Sequence, residues 1–255
     1  MLRKLSLGVC VLALCASMPA AAQEARGAIT GRVTDPSGGV IPAASVTVTN
    51  TATNESRRLT TNETGYYEAN FLEPSTYNVT VEAGGFKRVV RSGITVNVST
   101  RLEINITMEV GAVAETIEVT AEAPLLETTT ASGGRVLDSK NLVNLPFSDL
   151  NPFALTALAP GMQWTGQPEY RRPFDNGGTS AFNTMGGVGQ NEYTIDGMTV
   201  TGTGRRVGFT PPADSVGEFK LETSNFDASQ GFTSGAAINV SSRSGTNRFT
   251  GSVFN

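Results

Sequence analysis

The sequence contains no histidine, and its only two cysteines, Cys10 and Cys15, lie within the first 22 residues. The absence of histidine excludes a Ser-His-Asp or Cys-His catalytic arrangement and any histidine-ligated metal site. Paired carboxylates could still act as acid and base, but no pattern in the sequence brings two of them together. We therefore predict that the protein is not an enzyme and has no catalytic residues, no metal site and no cofactor.

Long apolar runs are also absent after the first 22 residues, so we expect no membrane-spanning helix beyond them. Residues 1–22 have the features of a secretory signal peptide. Arg3 and Lys4 precede the apolar run Leu5–Ala16, and the small residues Ala20–Ala22 mark a cleavage position. The alternatives are an uncleaved membrane anchor and a lipoprotein. If the segment is removed, no cysteine remains, and the chain must fold without disulfides.

The charge of the chain is low and negative. Loss of the two basic residues in the signal reduces the 19 basic residues to 17, against 23 acidic residues, for a net charge of −6. A negative protein without a basic cluster does not attract the phosphate backbone. We therefore predict that nucleic acid is not a partner.

Residues 27–108 consist largely of segments in which apolar and polar residues alternate. Alternation with a period of two indicates strands with one buried and one solvated face. About seven such strands at short, regular spacing are typical of a small β-sandwich. The segments are AITGRVTD, ASVTVTN, GYYEANF, STYNVTVEA, GFKRVV, ITVNVST and LEINITME.

Residues 109–134 are predicted to be a linker rich in Ala, Gly, Thr, Glu and Pro. Within it, only ETIEVTA (115–121) has the composition of a strand, because Ile117 and Val119 alternate with polar residues. Two interpretations are open. The segment is either a strand-forming piece held between flexible stretches, or an edge strand of the preceding sandwich.

The pattern changes at Arg135, where a small α+β unit is predicted to begin. Short helices are indicated in LDSKNLVNLP (137–146), where Asp138 or Ser139 caps the helix, and in NPFALTALAPG (151–161). NEYTIDGMTV predicts a hairpin with a tight Asp-Gly turn. ADSVGEFKLETS predicts a helical turn followed by a strand, and AAINVSS predicts another strand. Residues 249–255 are weakly compatible with a membrane-barrel strand.

Together these segments resemble the N-terminal part of a TonB-dependent outer-membrane receptor of the Oar-like type. GRVTDPSGGVIPAASVTVTN and GYYEANFLEPSTYNVTVEAGGF look like a carboxypeptidase regulatory-like domain, which is a transthyretin-like β-sandwich. ETIEVTA is similar to a TonB box, and the segments after Arg135 are similar to a plug domain. The resemblance implies a mainly β protein with a signal peptide (1–22), a sandwich (23–108), a linker (109–134), a plug (135–248) and the start of a barrel strand (249–255).

The resemblance also implies a function in the active uptake of a nutrient such as a saccharide, peptide or metal chelate. The protein would be exported to the periplasmic side of the outer membrane, where the plug gates a β-barrel. The family continues into that barrel, which this sequence does not include, so a fragment and a truncated product are both open. The alternative function is a secreted or surface module that binds carbohydrate or protein through the sandwich.

Two sets of residues are implied as binding sites. The periplasmic domain of TonB would pair with the strand-forming segment through main-chain hydrogen bonds. Its residues are Glu115, Thr116, Ile117, Glu118, Val119, Thr120 and Ala121. The Gly- and aromatic-rich loops at 162–190 and 201–212 either contact the nutrient or only connect elements. The candidate contacts are Trp164, Tyr170, Phe174, Arg205 and Arg206, since aromatic residues and arginine dominate recognition surfaces.

Overall fold

The fold is given by a computed structural model, which describes the chain in several stretches. The described residues are 26–111, 116–120, 133–138, 152–164, 182–184, 191–201, 207–224, 235–249 and 251. They form two units, each with its own hydrophobic core, and the two cores share no residue. Within the described residues no helix is long and apolar enough to cross a membrane.

The first unit is a β-sandwich, as the alternating pattern predicts. One sheet has the order β4–β1–β7, with β8 also paired to β1, and the other has the order β3–β2–β5–β6–β9. The strands are β1 (Gly27–Thr34), β2 (Ser45–Asn50), β3 (Ser56–Thr60), β4 (Tyr66–Leu72), β5 (Ser75–Glu82), β6 (Arg88–Val96), β7 (Arg101–Glu103), β8 (Ile106–Thr107) and β9 (Thr116–Thr120). The predicted mainly β class is confirmed.

The core of the sandwich is filled by the apolar residues of each alternating strand. In the central strands β2 and β5, the inward residues Val46 and Val79 are fully buried, and their strand neighbours are partly exposed. Tyr67 of β4 is also buried, and its hydroxyl donates a hydrogen bond of 2.7 Å to the carbonyl oxygen of Ile104. This bond ties β4 to the link between β7 and β8, so the core includes a polar cross-connection.

Residues 102–109 differ from the single strand that their alternation predicts. They form two short strands, β7 and β8, which both pair in parallel with β1. The strand is interrupted at Asn105, whose side-chain oxygen accepts a hydrogen bond of 2.8 Å from the backbone N–H of Arg32. The inward face is nevertheless as predicted, because Leu102, Ile104, Ile106 and Met108 are all buried.

Two further strands differ from the prediction. GFKRVV and ITVNVST contribute to one continuous strand, β6, because Gly93 takes a φ of 77° at an irregularity in its pairing with β5. The N–H of Gly93 donates to the side-chain oxygen of Asn78 at 3.2 Å, which holds this irregularity. The edge strand β3 was not predicted, since its sequence SRRLT is largely exposed and has no apolar alternation.

The second unit is built on a five-stranded sheet with the order β10–β15–β16–β13–β14, beside a two-stranded pair β11–β12. Its elements are β10 (Gly133–Asp138), a 3-10 helix (Pro152–Leu158), β11 (Met162–Trp164), β12 (Phe182–Thr184), β13 (Glu192–Ile195), β14 (Met198–Thr199), a 3-10 helix (Ala213–Ser215), β15 (Val216–Ser224) and β16 (Ala237–Ser242). The 3-10 helix at 152–158 places Phe153 edge-on to Tyr193, with ring centroids 5.3 Å apart. Phe219 of β15 also packs against the ring of Phe153.

Local predictions for this unit have mixed outcomes. The hairpin is confirmed: Ile195 pairs with Met198 across a two-residue turn in which Asp196 and Gly197 both have positive φ. The helix predicted in 151–161 is a 3-10 helix. The helix predicted in 137–146 does not include Leu137, which lies in strand β10; this strand ends at Asp138 and pairs with β15. A cap at Asp138 or Ser139 stays a prediction, because a cap residue has extended backbone. Residues 139–146 of that prediction lie outside the described residues.

Candidate functional site

The candidate site is the outer edge of β9, the strand formed by most of the ETIEVTA segment. β9 runs parallel to β6, with Val89 opposite Ile117 and Arg91 opposite Val119. It is the last strand in the order of its sheet, so it has a described strand on one side only. Alternate residues of a strand direct their N–H and C=O to opposite sides. The outer side of β9 therefore offers main-chain donors and acceptors.

The route of the chain to this edge is fixed by contacts at the start of β6. Phe86 and Val110 form an antiparallel bridge, and the N–H of Lys87 donates to the carbonyl oxygen of Glu109 at 2.8 Å. The ammonium group of Lys87 lies 3.5 Å from the carboxylate of Glu109. The N–H of Gly111 donates to the carbonyl oxygen of Gly85 at 3.1 Å. These contacts bring the chain beside the first residues of β6, where β9 then continues in parallel.

The two edges of the same sheet differ in chemistry. At the opposite edge, β3 carries Arg57 and Arg58, both exposed. Charged side chains on an edge strand discourage pairing with another chain. β9 contains no lysine, arginine or proline, and its one charged residue is Glu118. The edge formed by β9 is thus the less protected of the two.

The structure favours one of the two interpretations of ETIEVTA. Thr116, Ile117, Glu118, Val119 and Thr120 form an edge strand of the sandwich, and the side chain of Ile117 is partly buried. The segment is therefore paired at one edge in this structure. Glu115 and Ala121 lie outside the described residues. Pairing of the segment with TonB stays a prediction.

Of the five predicted nutrient contacts, Trp164 alone lies among the described residues. Trp164 ends β11, where its backbone pairs with Phe182 of β12. The other four candidates, Tyr170, Phe174, Arg205 and Arg206, lie outside the described residues. Their role in binding stays a prediction.

The sequence did not indicate Phe71 as an unusual residue. Phe71 lies in β4 with a φ of 59°, a conformation that is rare for an aromatic residue, and its side chain is 54 % exposed. It occupies a β-bulge, since the pairing of β1 with β4 shifts register between Gly27 and Ile29. The guanidinium group of Arg57 donates a hydrogen bond to the carbonyl oxygen of Asn70, which holds the bulge.

A small pocket of about 140 Å³ lies beside Phe71, and its lining includes Arg57, Glu73 and Tyr77. The hydroxyl of Tyr77 donates to the carbonyl oxygen of Glu73 at 2.9 Å. Burial raises the pKa of Tyr77 above its ordinary value. The pocket thus combines an exposed aromatic ring with fixed hydrogen-bonding groups.

The sequence also did not indicate that the charged residues of β15 are buried. Glu218, Lys220 and Glu222 alternate with Phe219 and Leu221, which predicts a solvated polar face. In the structure, all three charged residues are less than a tenth exposed. Alternation identified the face, but the sequence does not show what covers it. Within the described residues, no three acidic, histidine or cysteine side chains cluster as they would around a metal.

Comparison with known proteins adds a family and a relative. Residues 28–109 match the carboxypeptidase regulatory-like domain family. The chain is 26 % identical over 224 residues to the TonB-dependent transporter Oar of Myxococcus xanthus. This similarity covers 84 % of the chain, so it extends beyond the sandwich into the second unit. The chain spans about a fifth of the length of that relative.

Solved structures give only weak similarity. A candidate carbohydrate-binding protein from Bacteroides uniformis is 18 % identical with a TM-score of 0.28, covering 32 % of this chain and 40 % of that one. Hydroxyquinol 1,2-dioxygenase from Pseudomonas putida is 11 % identical with a TM-score of 0.27, covering 34 % and 57 %. The TIE protein of Bacillus anthracis is 18 % identical with a TM-score of 0.31, covering 46 % and 23 %. Scores of this size support no inference about function.

Proposed function

We propose that this chain is the N-terminal part of a TonB-dependent outer-membrane receptor that takes up a nutrient such as a saccharide, peptide or metal chelate. In this proposal the second unit is the plug of a β-barrel, and β9 is the strand offered to the periplasmic domain of TonB. The similarity to a TonB-dependent transporter across both units supports the assignment. The observation that carries it is the outer edge of β9, which has no described strand beside it and which lies between the two units in the sequence.

Recognition would occur by strand addition. The outward N–H and C=O groups of β9 would pair with an edge strand of the partner, and main-chain hydrogen bonds would supply most of the affinity. Ile117 and Val119 would set the register, because a shift of one residue exchanges the two faces of a strand.

Two routes to this complex are compatible with the position of β9. The partner either adds to the outer edge while β9 stays on β6, or it replaces β6 as the pairing strand. β9 has five residues and a parallel pairing, which is slightly weaker per residue than an antiparallel one. Replacement would exchange one set of ladder hydrogen bonds for another. Its net cost is therefore small.

A pull on β9 would act on the second unit through the chain that follows. After Thr120 the chain continues to Gly133, the first residue of β10. β10 is one of the two edge strands of the second sheet and pairs with β15 alone among the described strands. Force applied to β9 would therefore reach this edge strand first. Rearrangement of the plug would begin there.

Two proline variants test the proposal whichever side of β9 faces the partner. Neighbouring residues point their N–H groups to opposite sides, so Ile117→Pro and Glu118→Pro each remove a donor from a different side of β9. We expect at least one variant to lose binding to the purified periplasmic domain of TonB from the same organism, measured by calorimetry. Ile117→Ala keeps every main-chain donor, so it is expected to weaken binding much less than the proline variants do. Unchanged binding by both proline variants would exclude β9 as the contact.

Phe71 favours a second candidate function, a surface module that binds carbohydrate or protein. An aromatic residue held in the left-handed region costs about 1 kcal/mol or more relative to glycine. Such a cost at an exposed ring is typical of a contact residue. Phe71→Gly is therefore expected to stabilise the sandwich in urea unfolding and to abolish retention on a panel of immobilised saccharides. Retention on saccharide that depends on Phe71, together with no binding to the periplasmic domain of TonB, would favour this function over the first.

A further inference from the structure

Strand β15 has a face of charged residues that is buried between the two units. Phe219 and Leu221 point into the core of the second unit, so Glu218, Lys220 and Glu222 share the opposite face. Their exposures are 7 %, 2 % and 2 %. Charged groups are buried at considerable cost unless they have partners.

Glu218 and Lys220 have partners in the sandwich, more than a hundred residues away in the chain. The N–H of Val98 donates to the carboxylate of Glu218 at 2.8 Å, and the ammonium group of Lys220 donates to the carbonyl oxygen of Ser99 at 3.0 Å. Within β15, Lys220 also lies 3.1 Å from the carboxylate of Glu222. Ser99 has a φ of 50°, so this loop has a specific, uncommon conformation.

The loop at 97–100 is itself tied to the sandwich. It continues directly from β6, which ends at Val96. The carbonyl oxygen of Thr100 accepts a hydrogen bond of 2.9 Å from the N–H of Ala28, next to the start of β1. The loop therefore links the sheet that carries β9 to the charged face of β15.

The rest of the contact between the units is polar and open. Asn247, after β16, donates from its side chain to the carbonyl oxygen of Thr53 at 2.8 Å and from its backbone to that of Ala52 at 3.2 Å. Between this contact and the loop lies a cleft of about 640 Å³, lined largely by polar residues of both units. The two hydrophobic cores share no residue, and among the described residues the two units are joined by the hydrogen bonds of Val98, Ser99 and Asn247.

The charged face is also incompletely compensated. One carboxylate oxygen of Glu222, Oε2, is buried and has no hydrogen-bond partner among the described residues. A buried ion pair of this kind contributes little net stability, although loss of one partner is strongly destabilising. Such an interface suits a contact that fixes orientation more than one that adds stability.

We propose that Glu218 and Lys220 are positioning residues that clamp the loop at 97–100, and so hold the sandwich with β9 in one orientation on the second unit. The clamp sets where the outer edge of β9 lies relative to β15. Its existence does not depend on TonB. Its value for uptake rests on the function proposed above.

The clamp can be tested on the chain alone. Spin labels on cysteines introduced at Arg58 and Asp214, both exposed, report the distance between the units by pulsed electron resonance. Cys10 and Cys15 are the only native cysteines, so they are replaced by serine if the leader is retained. Exchange of the Val98 amide hydrogen, followed by NMR, reports the clamp directly.

We expect one narrow distance distribution in the unmodified chain and a broad one in the double variant Glu218→Ala/Lys220→Met. The amide hydrogen of Val98 should exchange at least about tenfold faster in that variant, because the N–H of Val98 loses the carboxylate of Glu218 as its acceptor. Glu218→Gln retains an acceptor oxygen for the Val98 amide and leaves the ion pair of Lys220 with Glu222 in place. This control variant should keep the narrow distribution.

A double variant with native circular dichroism, a narrow distribution and an unchanged Val98 amide would overturn the proposal. If the double variant does not fold, the single variant Lys220→Met tests the proposal, because the apolar side chain of methionine is suited to this buried position. A narrow distribution and a protected Val98 in that variant would equally contradict the clamp. Since no TonB is present, failure here is distinct from failure of TonB binding.

Discussion

Gly31 of β1 is the position at which the structure predicts the largest effect of a single methyl group. A β-carbon at this residue would overlap the carbonyl oxygen of Ile104 and would lie 2.6 Å from its carbonyl carbon. The obstacle is backbone, so no side-chain rotation can relieve it. Gly31→Ala must therefore displace the link between β7 and β8 from β1.

The magnitude follows from the bonds that this displacement disturbs. The N–H of Ile104 donates to the carbonyl oxygen of Thr30 at 2.7 Å, and its carbonyl oxygen accepts from the hydroxyl of Tyr67 at 2.7 Å. Two hydrogen bonds contribute about 1 kcal/mol each, and overpacking of a buried site costs about 1–3 kcal/mol. We expect Gly31→Ala to lower the free energy of unfolding of the sandwich by about 3–5 kcal/mol.

Urea unfolding followed by circular dichroism measures this loss. Trp164, the only tryptophan, belongs to the second unit, so its fluorescence follows that unit separately. Gly84→Ala is the matched control, because a β-carbon at Gly84 meets no atom within 4 Å, and it should stay within about 0.5 kcal/mol of the unmodified chain. If Gly31→Ala behaved like this control, the packing of β1 against the β7–β8 link would be refuted.

Two further predictions concern buried polar groups. Burial raises the pKa of Tyr193 to about 12, whereas an unfolded tyrosine ionises near about 10; the stability it contributes is therefore complete below about pH 10 and is lost as pH rises toward about 12. Alkaline unfolding of the second unit, read by phenolate absorbance and circular dichroism, should shift to higher pH in Tyr193→Phe; an unshifted midpoint would contradict the burial effect. Thr61 accepts a hydrogen bond from the N–H of Ala44 and donates one to the carbonyl oxygen of Ile41, both at 2.8 Å. Thr61→Val should destabilise the sandwich by about 2–3 kcal/mol in urea, whereas a loss below about 0.5 kcal/mol would show that water replaces both bonds.

Much of the sandwich could be predicted from the sequence because its buried face depends on local alternation. The inward positions of 102–109 were predicted correctly even though the strand is broken at Asn105. Gly93 shows the limit of this reasoning. Two separate strands were predicted on either side of Gly93, but this glycine supports an irregularity within the single strand β6. Strand continuity depends on the pairing with β5, which the local sequence does not contain.

The candidate site shows the same limit. The composition of ETIEVTA indicated a strand but not which strand it would pair with. It pairs with β6 because the bridge between Phe86 and Val110 brings the chain beside the start of β6. Likewise, the polar side of β15 could be identified from its alternation. The sequence did not show that the loop after Val96, which is far away in the chain, packs on that side. Long-range pairing of this kind is determined by the tertiary fold and has no local signal.

The central claim is that β9 pairs with a partner strand through its main chain. Hydrogen exchange of the backbone amides of β9 and β6, measured with and without the periplasmic domain of TonB, tests this most directly. If the partner adds to the outer edge, amides at alternate positions of β9 become protected; if it replaces β6, the amides of β6 that pair with β9 lose protection. In both cases the amides of β3, at the opposite edge, do not change. Unchanged exchange in both β9 and β6 at a saturating concentration of partner, or protection confined to β3, would contradict the claim.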